Sequence, residues 1–402
     1  MGPIPAGFLA ADDGTLIVGG VSANRQVIET PLFLYDAKRI SAQAEKFRAA
    51  FPGMALHYAV KANPYGPLLA HLDTFVDGFD LASAGELSRL EASAGLSKPV
   101  SFAGPGKRDD ELRSAIAKGV TINIESESEA KRALAIAEQL GATPKLAVRV
   151  NPPFALKGAG MKMGGLASPF GVDAARVPAL VRALLGAGAD WRGFHVYAGS
   201  QVLRADALIE AQSATLSLAG SLAGDIGAAP AEVNLGGGFG IPYAPGDEPL
   251  DIAAVGSALV AALATRLPIL ADTTFAIELG RWLVGEAGVY LTRVIDRKES
   301  GGRTFIITDG GLQHMLAATG NFGQLLRRNY PIANATRFVE TPTEEVTVTG
   351  CLCTPLDLLG DEVMLPRTEI GDLIAIFCAG AYGLTSSPQA FLSQPAATER
   401  LV

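Results

Sequence analysis

HYAVKANP, residues 57–64, is the stretch from which the fold can be read. An apolar run of strand character ends at Lys61, and Asn63 and Pro64 stop the strand two residues on. In an αβ barrel the active site is built at the C-terminal ends of the strands, so this lysine stands where catalysis belongs. A lysine at such a rim can equally be a solvated surface charge. The rest of the chain decides between the two.

Working outward, short β-rich runs recur: LHYAVKAN (56–63), GFDLAS (78–83), VSFAG (100–104), TINIE (121–125), KLAVRVNP (145–152), WRGFHVYAGS (191–200), EVNLGGGF (232–239) and TFAIELGR (274–281). Alanine- and leucine-rich stretches of helical period separate them, among them ELSRLEASAG and EAKRALAIAEQLG. Strand and helix in alternation give βαβ units and a parallel sheet, and eight such runs predict a closed (β/α)8 barrel. After residue 281 the pattern turns to β-branched runs such as RTFIITDGG and EEVTVTGCLC, which predict an antiparallel β domain. The expected organisation is N-terminal strands over 1–30 packing with that β domain, a barrel over 31–281, and the β domain over 282–402.

Composition narrows the class. Of the 402 residues 49% are apolar and 18% charged, enough for a large core and unlike a disordered chain. The net charge of −8 is spread along the sequence and leaves no basic footprint for nucleic acid. No apolar run approaches the roughly 20 residues that span a bilayer, and the first residues lack a signal peptide's basic start. Three cysteines do not make a disulfide framework, so the expectation is a reduced, cytoplasmic enzyme. The four histidines show no metal-ligand spacing, and no metal is expected.

Polar and glycine signatures cluster on the predicted barrel strands. Lys61 ends the first and Asp80 lies on the second. Arg149 is on the fifth, and His195 with Gly199-Ser200 is on the sixth. Gly236-Gly237-Gly238 closes the seventh, and Glu278 with Arg281 the eighth. A glycine run alone is as well read as a tight turn. The loops after strands seven and eight of such barrels, however, often bind phosphate through backbone N–H groups, to which Ser200 and Arg281 can add donors. A phosphate corner and a lysine across the rim point to pyridoxal phosphate, whose aldehyde takes an amine as a Schiff base. Glu278 can then hold a proton on the pyridine nitrogen and His195 can lie against the ring. Asp80 and Arg149 are read as supporting Lys61 and His195, with a plain rim ion pair as the alternative.

YAVKANP, FDLASAGEL, NLGGGFGIPY, ELGR, GCLCTPLD and GAYG stand in one order along nearly the whole chain. In these motifs the chain resembles the ornithine/diaminopimelate decarboxylase family of fold-type III, whose fold is an alanine racemase-like barrel with a C-terminal β domain. The resemblance implies that Lys61 carries the cofactor and His195 stacks on it. It also implies that Ser200, Gly236–Gly238, Arg281 and Tyr382 hold the phosphate. It further implies a homodimer with shared sites, in which Cys353 and Asp357 of GCLCTPLD enter from the partner and Cys353 returns a proton to the substrate.

Three departures from the family bear on substrate. HVYAGSQ is two residues longer than the family's His-x-Gly-Ser. Thr354 follows Cys353 where ornithine and diaminopimelate enzymes place an acid for the distal ammonium. In DGGLQHMLAATGNF (309–322), Ala317 stands where diaminopimelate enzymes keep an arginine, with His314 a distinctive neighbour. An unpaired buried charge costs several kcal/mol, which argues against free diaminopimelate, ornithine or lysine. The inserted LKGAGMKMGG (156–165), with Lys157 and Lys162, resembles that of decarboxylases associated with exosortase A systems, or of relatives acting on a glutamyl group carried by an acyl-carrier protein. The expectation is an α-decarboxylase of an L-amino acid or a carrier-attached aminoacyl group. Diaminopimelate decarboxylase is the main alternative, and a non-catalytic pyridoxal-phosphate-binding regulator the alternative of another class.

Overall fold

The computed structural model describes every residue except Met1, 27–28, 157, 159, 163–164, 166 and 321–326. The eight predicted runs form eight parallel strands: β1 (Ala55–Ala59), β2 (Gly78–Leu81), β3 (Val100–Phe102), β4 (Thr121–Ile124), β5 (Lys145–Asn151), β6 (Asp190–His195), β7 (Glu232–Gly237) and β8 (Thr274–Leu279). Neighbours pair in chain order, and the circle closes where Ile277 and Glu278 of β8 register with Leu56 and His57 of β1. Closure leaves no edge between β8 and β1. Strands covered on both faces read as continuous apolar runs rather than alternating ones, and every residue of β2 is buried.

Helices return the chain between strands, and their ends are written locally. Ser83 and Ser126 each accept a hydrogen bond from the backbone N–H three residues on, at 3.1 Å, and so cap the helices Ala84–Ser93 and Glu127–Leu140. Each cap satisfies an orphan donor worth about 1 kcal/mol.

A second sheet is built around the thirteen-residue strand β9 (Gly288–Ser300). It pairs with β10 (Arg303–Thr308), with β14 (Leu373–Phe377) and with the strand Leu32–Tyr35. Beyond these lie β11 (Ile332–Asn334), β12 (Glu344–Thr349) and β13 (Leu358–Leu365). The sheet is antiparallel except for two parallel pairs, β10 with β12 and Leu32–Tyr35 with Thr398–Leu401. Leu16 and Val18 of the N-terminal strands share one core with Leu32, Val289, Leu291 and Phe377.

The chain divides into two compact units: Met1–Gln43 with Ile241–Pro249 and Arg281–Val402, and Ala44–Gly240 with Leu250–Gly280. The boundary expected at residue 30 is displaced because Leu32–Tyr35 is a strand of the β unit. Residues 241–249 and Arg281 belong to that unit as well.

Candidate active site

Within the barrel unit, Lys61, His195 and Glu278 converge. Lys61 Nζ lies 3.0 Å from Oε1 of Glu278, and His195 Nε2 lies 2.9 Å from Oε2 of the same carboxylate. Glu278 is 3% exposed whereas Lys61 keeps 39% of its side chain accessible. Burial opposes the ionised carboxylate, but the Lys61 ammonium and the His195 contacts outweigh it and hold Glu278 well below the usual carboxylate range. The outcome is a buried anion with a half-open amine on one side and an imidazole on the other. Tyr197 joins them: Lys61 Nζ sits 4.8 Å from its ring centroid, and its ring is nearly parallel to that of His195.

The glycine run serves close approach first. A Cβ at Gly237 would stand 1.8 Å from the Glu278 carbonyl oxygen, and one at Gly236, where φ is +71°, would stand 2.3 Å from that of Val196. Only glycine lets the exit of β7 pass between its neighbours. The Gly236 N–H donates to Asn234 Oδ1 at 2.9 Å, so that donor of the expected phosphate cradle is already engaged. Ser200 differs. Its Oγ is buried and makes no hydrogen bond among the described residues, as expected of a hydroxyl awaiting an acceptor.

Asp80 and Arg149 are not paired with each other among the described residues. Asp80 accepts from Ser101 Oγ and from Asn234 Nδ2 (3.3 Å) and faces His57 Nδ1 at 3.4 Å. Arg149 Nη1 donates to Glu125 Oε1 at 2.9 Å, and its guanidinium lies 4.9 Å from the Phe170 ring centroid. These contacts correct the rim ion pair weighed from sequence, because each charge has a nearer partner inside the barrel. Lys157 lies outside the described residues, and Lys162 belongs to a two-residue strand paired with Gly199–Ser200.

In the β unit, Arg281 Nη1 donates to Tyr243 Oη at 2.7 Å, and its guanidinium lies 4.6 Å from the Tyr382 ring centroid. Burial works against this cation, and the surrounding tyrosines, Tyr243 foremost, push its pKa above the usual arginine value. No carboxylate lies within ion-pair distance of it among the described residues. A half-buried cation on an aromatic platform suits an anionic ligand.

The GCLCTPLD segment is organised by Asp357. Its Oδ1 accepts from the Leu312 N–H at 2.6 Å and its Oδ2 from the Leu352 N–H at 2.8 Å, and Gly311 and Gly350 leave the space it fills. Burial raises its pKa against those two bonds. Asp357, read from sequence as a substrate ligand, uses one bond of each oxygen to clamp the loop carrying Cys353. Cys353 is exposed, and Thr354 Oγ1 accepts from the Leu356 N–H at 3.3 Å. His314, also expected at the substrate, is buried between the Pro395 carbonyl (2.8 Å from Nε2) and the Tyr290 hydroxyl (3.3 Å from Nδ1). Burial lowers its pKa and leaves a neutral structural ring. Ala317 is buried.

Sequence reasoning missed His57, Glu125, Tyr197 and Tyr243. Glu125 ends the run TINIE and Tyr197 stands two residues after His195, so each carried a rim signal. His57 had none, because alternation alone does not separate a barrel-interior histidine from an exterior one.

A lysine held by a buried carboxylate inside a parallel barrel defines a barrel enzyme equipped for an aldehyde cofactor. Residues 37–285 match the family model described as pyridoxal-dependent decarboxylase, pyridoxal binding domain. The chain is 36% identical over 391 residues to the L-glutamyl-[BtrI acyl-carrier protein] decarboxylase of Niallia circulans, covering 95% of this chain and 90% of that protein. It is 32% identical to the diaminopimelate decarboxylase of Methanothermobacter thermautotrophicus, over 97% of this chain and 91% of the relative. Among solved structures, AQ1208 from Aquifex aeolicus superposes with a TM-score of 0.85 at 29% identity, covering 99% and 92% of the two chains. The M. jannaschii diaminopimelate decarboxylase in complex with L-lysine gives 0.89 at 25%, covering 98% and 93%. The chain belongs to the pyridoxal-dependent decarboxylases, and its cofactor is pyridoxal phosphate.

Proposed function

We propose that this decarboxylase acts on a glutamyl group carried as a thioester on an acyl-carrier protein. The observation that carries this reading is the uncharged set Thr354 and Ala317 at the positions where the family's diaminopimelate enzymes use charged residues. An α-decarboxylase needs the α-amine and α-carboxylate free, so a carried glutamyl group must be attached through its side-chain carboxyl. Its distal end is then a neutral thioester, which asks for neither an acid nor an arginine. His314 is held by its own neighbours and so does not substitute for that arginine. The relative that acts on such a substrate is 36% identical.

Pyridoxal phosphate, when bound, supplies an aldehyde for the substrate amine and a ring that accepts the electrons left as CO2 departs. Lys61 provides the amine that holds the cofactor and yields its place to the substrate. Glu278 keeps the proton on the pyridine nitrogen, and His195 orients Glu278 through its Nε2 contact. Ser200 Oγ and Arg281 are read as donors to the phosphate, and Tyr382 as the aromatic support of Arg281. Cys353 of the partner subunit in a homodimer returns a proton to Cα.

The main alternative, free diaminopimelate, is favoured by the several relatives bearing that activity. A regulator that binds the cofactor without turnover would need neither Cys353 nor the clamp that positions it. The deciding experiment measures CO2 release from glutamyl-carrier protein, glutamate, meso-diaminopimelate, ornithine, lysine and arginine. Turnover of the tethered substrate alone is expected, and robust turnover of free diaminopimelate would overturn the reading.

A further inference from the structure

Barrels of this kind fill their interior with layers of branched apolar side chains. Part of this interior is polar instead. His57, Asp80, Asn123 and Asn234 are all buried, and Ser101 links them by donating to Asp80 and accepting from Asn123 Nδ2 at 3.1 Å. A chamber of about 70 Å³ is lined by His57, Ser101, Asn123, His195, Glu232 and Asn234. Two ring nitrogens of its lining residues, His57 Nδ1 and His195 Nδ1, are buried and make no hydrogen bond among the described residues. One water needs only about 10–15 Å³ of such space and two to four polar partners. The chamber therefore has room for water, and His195 Nδ1, together with the His57 ring on the same wall, supplies partners.

The direction of the bonds follows from the acceptor at one end. Glu278, held ionised beside Lys61, can only accept, so His195 Nε2 carries the hydrogen that faces it. In its neutral form the His195 ring then has an acceptor at Nδ1. At the other end His57 Nδ1 faces Asp80, so an imidazolium there gives that hydrogen to Asp80 and has its Nε2–H left for water. We propose that His57 is a positioning residue: as the cation of a buried pair with Asp80, it donates through chamber water to His195 Nδ1 and so fixes the Nε2–H form of His195 that faces Glu278. The groups facing His57 favour that charge. Burial alone would lower its pKa, but Asp80 on β2, with Glu232 on β7 and Glu278 on β8 adding, raise it to about 9. Arg192 and His195 on β6 line the same chamber, and Asp77, just before β2, also feels His57. Gly78 makes the room, since a Cβ there would stand 2.8 Å from His57 Nε2. The role assigned to His57 rests on the reading of Glu278 and His195 as cofactor-holding residues, not on the identity of the substrate.

The test is nitrogen NMR of ¹⁵N-histidine-labelled protein, with and without bound cofactor. The chain has four histidines, so single substitutions assign the signals. At neutral pH the wild type is expected to show His57 doubly protonated and His195 neutral with its hydrogen on Nε2. In His57→Gln the His195 Nδ1 signal should move, because the donor that reaches it through chamber water is removed. A neutral His57, or a His195 with its hydrogen on Nδ1, would overturn the proposal from the wild-type spectrum alone, whether or not the variant folds. Unmoved His195 signals in folded His57→Gln would do so too. A shifted cofactor spectrum in loaded Glu278→Gln, or weakened cofactor binding, with the tautomer as expected supports the reading of that carboxylate. Retained cofactor binding and cofactor spectrum in that variant would count against the reading even if His57 behaves as described. Activity toward any substrate enters neither comparison.

Discussion

Lys61 and His195 reach opposite oxygens of one carboxylate, Glu278, at 3.0 and 2.9 Å. The pairing fixes charge as well as position. An anion buried this deeply persists because both neighbours compensate it, and a carboxylate held ionised is what a protonated pyridine nitrogen requires opposite it. Glu278→Gln keeps the shape and removes the charge. A loss of about a hundredfold or more in kcat is expected, the scale of a removed proton-holding group, with a visible spectrum shifted in the loaded protein. Steady-state kinetics with an unchanged rate would exclude the role.

Lys61→Ala is expected to abolish the visible band of the lysine-bound cofactor. It also strips Glu278 of its largest stabilising charge, so the carboxylate should take up a proton at higher pH than in the wild type. Absorbance spectra and infrared titration of the carboxyl band check the two effects separately. A wild-type spectrum in the variant would remove Lys61 from the site.

Stability should fall on the alkaline side through His57. Its folded pKa, about 9, lies above the value near 6.5 of an unfolded histidine. The contribution is therefore fully present below about pH 6.5 and is lost as pH rises through 9. The full shift corresponds to about 3 kcal/mol. Urea unfolding of wild type and His57→Gln between pH 6 and 9.5 should show the wild type losing stability that the variant does not. Parallel curves would place the charge elsewhere.

The barrel was legible because eight β-rich runs alternated with helical ones, and Lys61, His195 and Glu278 sat at or near strand ends. Their convergence on one carboxylate was not, because it depends on which strands become neighbours when β8 meets β1. Asp357 shows the converse limit. Its place in GCLCTPLD marked it as functional, but the donors it accepts from are the N–H groups of Leu312 and Leu352, and the former is distant in sequence. The long-range pairing that makes it a clamp leaves no local pattern. His314 was misread for the same reason, since its partners Tyr290 and Pro395 come from elsewhere in the chain.

Asp357→Ala leaves two buried N–H groups without acceptors, at about 1–3 kcal/mol each. Thermal unfolding should move down by several degrees, and turnover should fall with it because the Cys353 loop loses its clamp. Asp357→Asn can satisfy one N–H only and should lie between the two. If Asp357→Ala lost activity with an unchanged Tm, the carboxylate would instead belong to the substrate.

Cys353 is exposed in the isolated chain, which suits a residue completed by a second copy. Cys353→Ala should slow turnover and divert it toward abortive transamination. Mixed with Lys61→Ala under subunit exchange, the two inactive variants should recover about a quarter of wild-type activity, since hybrid C2 dimers contain one intact site in two. No recovery in mixtures shown to exchange would mean that both residues act within one chain.

Thr354 offers a direct test of what the distal pocket reads. Thr354→Asp keeps an acceptor near the Leu356 N–H, which Thr354 Oγ1 now serves at 3.3 Å, and adds a negative charge on a half-exposed loop. An acid there would compensate a distal ammonium that otherwise stands unpaired, and a compensated charge is worth at least about a tenfold change in kcat/KM. Diaminopimelate, ornithine or lysine should therefore gain while glutamyl-carrier protein gains nothing, because its thioester carries no charge to meet. CO2 release from both substrate types in the same preparation reads the ratio directly. An unchanged ratio would mean that the distal end is recognised away from Thr354, and the neutral-pocket argument for a carrier-bound substrate would fall with it.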